Sequence, residues 1–254
     1  MELKIYGTNT IKEAINSGNL VSDIFISEKK HKNGHIDNAL FRLIKEHELN
    51  MTVKNEQFFM KEFGSEALIK GIAAVADYNE IFIEDVIAKN TGKADVFYVI
   101  LDDINDPQNL GSIIRTANCA GADCIILPKS NSVFITSAVA NVSQGAVFYS
   151  DVVRVPNIAR TIENLKALGI WVIGLSGEAE EDIYSFKFDI PVAIVVGSEG
   201  KGLRRLTQER CEKILSIPMA GNITSLNASV SFAVSAYEIF RQRKRIKKNL
   251  TRIN

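Results

Sequence analysis

Apolar and polar positions change period several times along the chain, and those changes divide it into elements. Over residues 3–78, Leu3 to Tyr6, Asp23 to Ser27 and Ile72 to Ala76 read as strands, and Thr8 to Asn16 as a helix. Asp37 to His47 carries Ala39, Leu40, Leu43 and Ile44 at the spacing of one helix face. From Val96 onward the apolar runs are short and continuous. Val96 to Leu101, Cys124 to Leu127, Val152 to Val155, Ile170 to Leu175, Val192 to Val196 and Ile214 to Ile217 predict strands buried on both faces. Helical patterns start between them, near Leu110, Thr136, Ile158, Leu203 and Ser225. This alternation predicts an α/β domain with a parallel sheet covered by helices, in which ligands sit beyond the carboxyl ends of the strands. Glu80 to Asp95 reads as a connector, with helical turns broken at Asn90, Thr91, Gly92 and Lys93. The expected organisation is a small α/β domain over 1–78, a linker over 79–95 and a larger domain over 96–254.

Two hinges stand out in the larger domain. The stretch Ile214 to Val234 opens as a strand, breaks at Pro218, crosses Gly221, Asn222, Ile223 and Thr224, and continues as small and apolar residues that predict a buried helix. Ser225 is placed to cap that helix through its hydroxyl. A strand end followed by a Gly- and Asn-containing loop presents many backbone N–H and C=O groups that must find partners. Val195 to Gly202 forms a second, glycine-rich hinge after another apolar run. It matches neither GxGxxG nor the Walker spacing. Together the hinges predict one pocket suited to the edge of a flat heterocycle.

Composition narrows the chemistry. With 30 Lys+Arg against 30 Asp+Glu, no global field draws the chain to nucleic acid, so any nucleic-acid surface must be local. Residues 241–248 hold six basic residues in eight, either a phosphate-contacting tail or a solvated helix end. No apolar run approaches the roughly 20 residues needed to cross a bilayer, and MELKIYGTNT shows no targeting pattern, so a cytoplasmic protein without a membrane partner is expected. Cys119, Cys124 and Cys211 lack CxxC spacing and read as free thiols. His31, His35 and His47 all precede the larger domain, which therefore has no imidazole for a triad, a general base or a metal site. The four-residue spacing of His31 and His35 is interrupted by Asn33 and Gly34, a turn.

Three stretches then carry a resemblance. Asp106 and Pro107 with Asn109, Gly111 and Arg115, then Gly197, Ser198, Glu199 and Gly200 with Gly202 and Leu203, then Ile217, Pro218 and Met219 with Ser225, Leu226 and Asn227, resemble in order the three motifs of the SpoU (TrmH-like) family of RNA 2′-O-ribose methyltransferases. The likeness extends to Ile170–Gly174 and Arg204–Thr207 and is nearest to the branch that methylates guanosine in bacterial 23S rRNA. The resemblance implies a SPOUT-type fold with a C-terminal trefoil knot, an N-terminal L30e-like domain that helps to choose the RNA, and a homodimer without metal. It implies S-adenosylmethionine as cofactor, held by Leu175, Ser176, Gly197, Ile217, Met219 and Leu226, with Arg115, Asn109, Glu199, Ser225 and Asn227 as catalytic residues. A guanidinium stays charged to above about pH 12 and is a poor base, but it is an effective clamp for phosphate. Arg115 is therefore read as gripping phosphate and stabilising the developing alkoxide, beside the base-like role that the family assigns. Asn109 is expected in the strand-to-helix loop, holding Arg115 or a backbone group. One departure is Ala228 and Ser231, smaller or more polar than is usual in the third motif. A tRNA-modifying or resistance-type relative is the nearest alternative, and a non-catalytic RNA-binding relative the more distant one.

Overall fold

The computed structural model describes residues 1–34 and 36–251, without the side chains of 245–251. His35 and the side chains of Arg245, Lys247 and Lys248 lie outside the described residues. The chain divides into two compact units, Met1–Asn79 with Ile135–Tyr149, and Glu80–Phe134 with Ser150–Asn254.

The first unit contains β1 (Glu2–Tyr6), α1 (Thr8–Asn16), β2 (Val21–Ser27), α2 (Glu28–Lys32), α3 (Asn38–Glu46), β3 (Met51–Lys54), α4 (Glu56–Glu62), α5 (Ser65–Lys70) and β4 (Ile72–Asp77). Its sheet runs β1-β4-β2-β3, antiparallel except for the parallel pair β2 and β3. Leu3 and Ile5 alternate into the core, as the period of a strand requires. Asp37 caps α3 by accepting the Leu40 N–H. Strand β3 escapes the sequence pattern because it is an edge strand with no fully buried residue.

The second unit contains α6 (Ile83–Asn90), β5 (Phe97–Asp102), α7 (Pro107–Ala120), β6 (Cys124–Pro128), β7 (Val152–Val155), α9 (Ile158–Ala167), β8 (Trp171–Leu175), β9 (Val192–Gly197), α10 (Arg205–Arg210), β10 (Lys213–Leu215) and α11 (Ala228–Thr251), while α8 (Ser137–Val142) packs in the first unit. Its six-stranded sheet runs β10-β8-β9-β5-β6-β7, and every neighbouring pair is parallel. The continuous apolar runs follow from burial on both faces: every residue of β5 and β6 is buried. Phe232 of α11 stacks on Phe97 at 6.5 Å between ring centroids, so α11 closes one face of the sheet.

The start of the basic tail is built into this core. Arg241 pairs with the buried Glu238 at 2.6 Å. Arg243 donates to four backbone carbonyls, those of Phe188, Asp95, Val96 and Ile190, and burial draws its guanidinium below its ordinary pKa. A planar fork with five donors is suited to that clamp, and a lysine is not. Arg243 is thus a structural residue rather than a phosphate contact.

Segment Ile135–Tyr149 closes the exposed edge of β1. Ser137 Oγ accepts the Lys4 N–H at 2.8 Å, Asn141 Oδ1 accepts the Tyr6 N–H at 2.8 Å, and Asn141 Nδ2 donates to the Lys4 carbonyl at 3.3 Å. Two side chains one helical turn apart thereby do the work of a further strand on an edge that would otherwise invite foreign pairing. Asn141→Ala is expected to cost about 1–3 kcal/mol of stability by leaving these groups unpaired. Hydrogen exchange should show lost protection at residues 2–6, while β5 stays protected.

Candidate functional site

The sheet order places three strand ends side by side. β10, β8 and β9 are neighbours, so the chain leaving Leu175, Gly197 and Leu215 emerges along one rim. A cleft of about 680 Å³ lies there, lined by residues 175–178 after β8, 196–203 after β9, and Ile217, Met219 and 224–226 after β10, with Gln208, Ala228 and Ser231. Leu175, Ser176, Gly197, Ile217, Met219 and Leu226 all line this one cleft, together with Glu199 and Ser225.

Close backbone approach shapes its walls. Ser198 and Gly202 exchange both backbone hydrogen bonds, at 3.1 and 3.0 Å, folding the glycine-rich hinge back on itself. A Cβ on Gly197 would lie 2.2 Å from the carbonyl carbon and oxygen of Gly202, so this position admits only glycine without a shift of backbone. A Cβ on Gly177 would come within 3.1 Å of the Thr224 carbonyl oxygen, so the loops after β8 and β10 also approach closely. Residues 217–226 make no hydrogen bond among the described residues, and 218–226 are exposed. Their backbone donors and acceptors are open at the cleft.

Beside the cleft, three polar side chains meet. Asn109 Nδ2 donates to Glu199 Oε1 at 3.1 Å, and Asn227 Nδ2 donates to Asn109 Oδ1 at 3.0 Å and also to Glu199 Oε1. The structure corrects two placements here. Asn109 is not in a loop: Asp106 caps α7, Pro107 is the first helical residue, and Asn109 sits buried in the first turn, holding Glu199 and Asn227 rather than Arg115. Nor does Ser225 cap the last helix. That helix begins at Ala228, and Asn227 Oδ1 accepts the N–H groups of Ser229 at 2.8 Å and Val230 at 3.4 Å. Ser225 is an exposed residue of the cleft wall. The Asn227 amide thus spends its oxygen on the helix and its nitrogen on the network.

Arg115 stands apart from this trio. Six residues beyond Asn109 on α7, it points about 120° around the helix from it. It is exposed, does not line the cleft, and has no ion-pair or hydrogen-bond partner among the described residues. A helix arginine with a carboxylate partner is therefore not what the structure shows.

Neither Asp102 nor Arg204 was among the site residues read from the sequence, although Arg204 lies in a stretch that carries the family resemblance. Asp102 ends β5 only 1% exposed, with Oδ1 2.7 Å from Arg204 Nε and Oδ2 accepting the Arg204 N–H at 3.0 Å. The available signal was a carboxylate closing an otherwise apolar run, Val96 to Leu101. Near the cleft, burial pushes the Cys211 thiol up to about 12, and its Sγ donates to the Thr207 carbonyl, so it is no nucleophile at neutral pH. No cluster of three or more metal-ligating side chains occurs among the described residues, and no helix among them is long and apolar enough to cross a membrane.

Known proteins are similar to this chain in sequence and in fold. Residues 96–237 match the SpoU rRNA Methylase family. The TrmH family protein YacO of Bacillus subtilis is 44% identical over 173 residues, covering 68% of this chain and 70% of that one. A TrmH family protein of Staphylococcus haemolyticus is 38% identical over 253 residues, covering 98% of this chain and 99% of that one. In fold, the chain is similar to the SpoU methyltransferase AviRb from Streptomyces viridochromogenes, solved with the cofactor AdoMet, with TM-score 0.80 at 23% identity over 96% of this chain and 91% of that one. It is also similar to an AdoMet-bound rRNA methyltransferase from Sinorhizobium meliloti, with TM-score 0.76 at 21% identity over 94% and 87% of the two chains. With a family match over more than half its length, on the domain that carries the three-hinge cleft, this chain belongs to the SpoU (TrmH-like) family of RNA methyltransferases.

Proposed function

We propose that the chain transfers a methyl group from S-adenosylmethionine to the 2′-hydroxyl of a ribose in RNA, a guanosine of 23S rRNA, in the cytoplasm. The observation that carries this reading is the convergence of three hinges on one cleft, with the open backbone groups of residues 217–226 on its wall and the Asn109, Glu199 and Asn227 network beside it. The cleft fits such a donor in chemistry: unpaired N–H and C=O groups suit the edge of an adenine, and Leu175, Ile217 and Leu226 give it apolar walls. When bound, S-adenosylmethionine supplies an electrophilic methyl on a sulfonium.

The chain's own residues then have distinct tasks. The hinge backbones orient the donor. Glu199 holds the two asparagine amides in one geometry, and Asn227 ties that geometry to the start of α11. Arg115, exposed and unpaired among the described residues, is free to grip the phosphate next to the target ribose and to stabilise the developing alkoxide while the hydroxyl passes its proton to solvent water. Mapping ribose methylation at single-nucleotide resolution in RNA from cells with and without this chain tests the proposal. One guanosine of 23S rRNA should lose its mark, and an unchanged ribosomal RNA with a lost tRNA mark would move the substrate to tRNA.

The same reading extends to architecture: a trefoil knot in the C-terminal chain, an L30e-like first unit that selects RNA, and a homodimer. Supporting the knot, β10 returns to the far side of β8 instead of following β9. Supporting the dimer, Val230, Tyr237 and Phe240 of α11 are 45%, 50% and 39% exposed, while Phe232, Ala236 and Ile239 of the same helix are buried. Sedimentation at micromolar concentration is expected to give twice the mass of the chain. Tyr237→Glu should shift it to monomer, and a fully active monomer would sink the dimer.

A further inference from the structure

Asp102 closes a strand of six buried residues, where a carboxylate is costly unless it is paired. Both of its oxygens go to one residue across the hinge: Oδ2 to the Arg204 N–H, and Oδ1 to Arg204 Nε. Oδ1 has only this ion contact, with no hydrogen bond of good geometry, so the charge depends on Arg204. Strand register also sets Asp102 opposite Gly197. Asp102 therefore meets both ends of the loop 197–204, whose middle is cross-linked through Ser198 and Gly202. That loop forms one wall of the cleft and carries Glu199 to Asn109 and Asn227. Asp102 itself does not line the cleft.

We propose that Asp102, with Arg204 as its partner, is a positioning residue for methyl transfer: it holds the loop 197–204 in the shape that both seats the methyl donor and sets Glu199 against the two asparagines. This rests on the donor reading of the cleft. The competing role, an anchor that only starts α10 at Arg205, predicts loss of stability without any selective loss at the cleft.

The experiment uses the full chain. Asp102→Asn keeps an acceptor for the Arg204 N–H but removes the charge, and Arg204→Lys keeps a charge but removes the Nε contact. Each is measured by calorimetric titration with S-adenosylmethionine, by thermal unfolding without it, and by hydrogen exchange over residues 197–204. A binding wall that loses its fit leaves donor groups unpaired, which costs on the order of 10- to 10²-fold in affinity. Donor affinity should fall on that scale in Asp102→Asn and less in Arg204→Lys, with faster exchange confined to 197–204 and a folded chain in both. The double variant should be no weaker than Asp102→Asn alone, because the residues act as one unit. Donor affinity within about twofold of the wild type, or lost only in proportion to the folded fraction, overturns the proposal. Should Asp102→Asn fail to fold, Arg204→Lys decides on the same criteria, its site being half exposed. A wild-type chain that does not bind S-adenosylmethionine overturns the donor reading and this proposal with it, whereas normal wild-type binding with unaffected variants overturns this proposal alone.

Discussion

Replacing Gly197 by alanine is expected to weaken donor binding steeply while leaving the sheet folded. The new methyl would have to occupy space 2.2 Å from the carbonyl carbon and oxygen of Gly202 and 2.5 Å from the Leu203 nitrogen. These are backbone atoms, so no rotamer change relieves the clash. Gly202 is held by its paired hydrogen bonds to Ser198, and Arg204, two residues on, is held by the buried Asp102. The loop must break one of these ties to make room, and Glu199 and the cleft wall move with it. Overpacking of this kind costs about 1–3 kcal/mol, which a domain of this size survives. The loss of a fitted wall, with the groups it leaves unpaired, should weaken S-adenosylmethionine binding by on the order of 10²-fold. Calorimetry on the folded variant measures it directly, and undiminished affinity would remove the 197–203 loop from the donor site.

Arg115→Lys is expected to leave donor binding intact and to slow methyl transfer steeply. Arg115 does not line the cleft, so the donor has no contact to lose. Lysine keeps the charge but not the planar fork that grips a phosphate through two N–H groups. Removing one oriented donor to a developing oxyanion typically costs about 10²- to 10³-fold in rate. A solvated surface cation of no function predicts near-normal turnover, since exposed charges of this kind contribute about 0–1 kcal/mol. Single-turnover transfer of labelled methyl to a ribosomal RNA fragment, with donor affinity measured in parallel, separates these outcomes. Normal turnover in the lysine variant removes Arg115 from the reaction, and weakened donor binding moves it to the cofactor.

What the sequence alone determined follows from how local each signal is. The parallel sheet of the second unit was legible because strands buried on both faces must be continuously apolar, and helices such as α7 and α9 carry their own period. Two of the three hinges were legible as Gly-, Pro- and Asn-containing breaks after those strands, while the third, after β8, entered only through Leu175 and Ser176 in the family resemblance. In the first unit, β3 was not legible, because an edge strand with no fully buried residue leaves no alternation to read. Other features were decided only in three dimensions. The order β10-β8-β9 brings together hinges that lie far apart along the chain. Only the folded chain makes Asn227, rather than Ser225, the cap of α11, since both residue types cap well and the choice depends on where the loop lets the helix begin. The pairing of Asp102 with Arg204, 102 residues apart, the four carbonyls around Arg243 and the docking of Asn141 on β1 are contacts across long separations. No local pattern encodes such contacts, because each side chain is placed by packing around it and not by its neighbours in sequence.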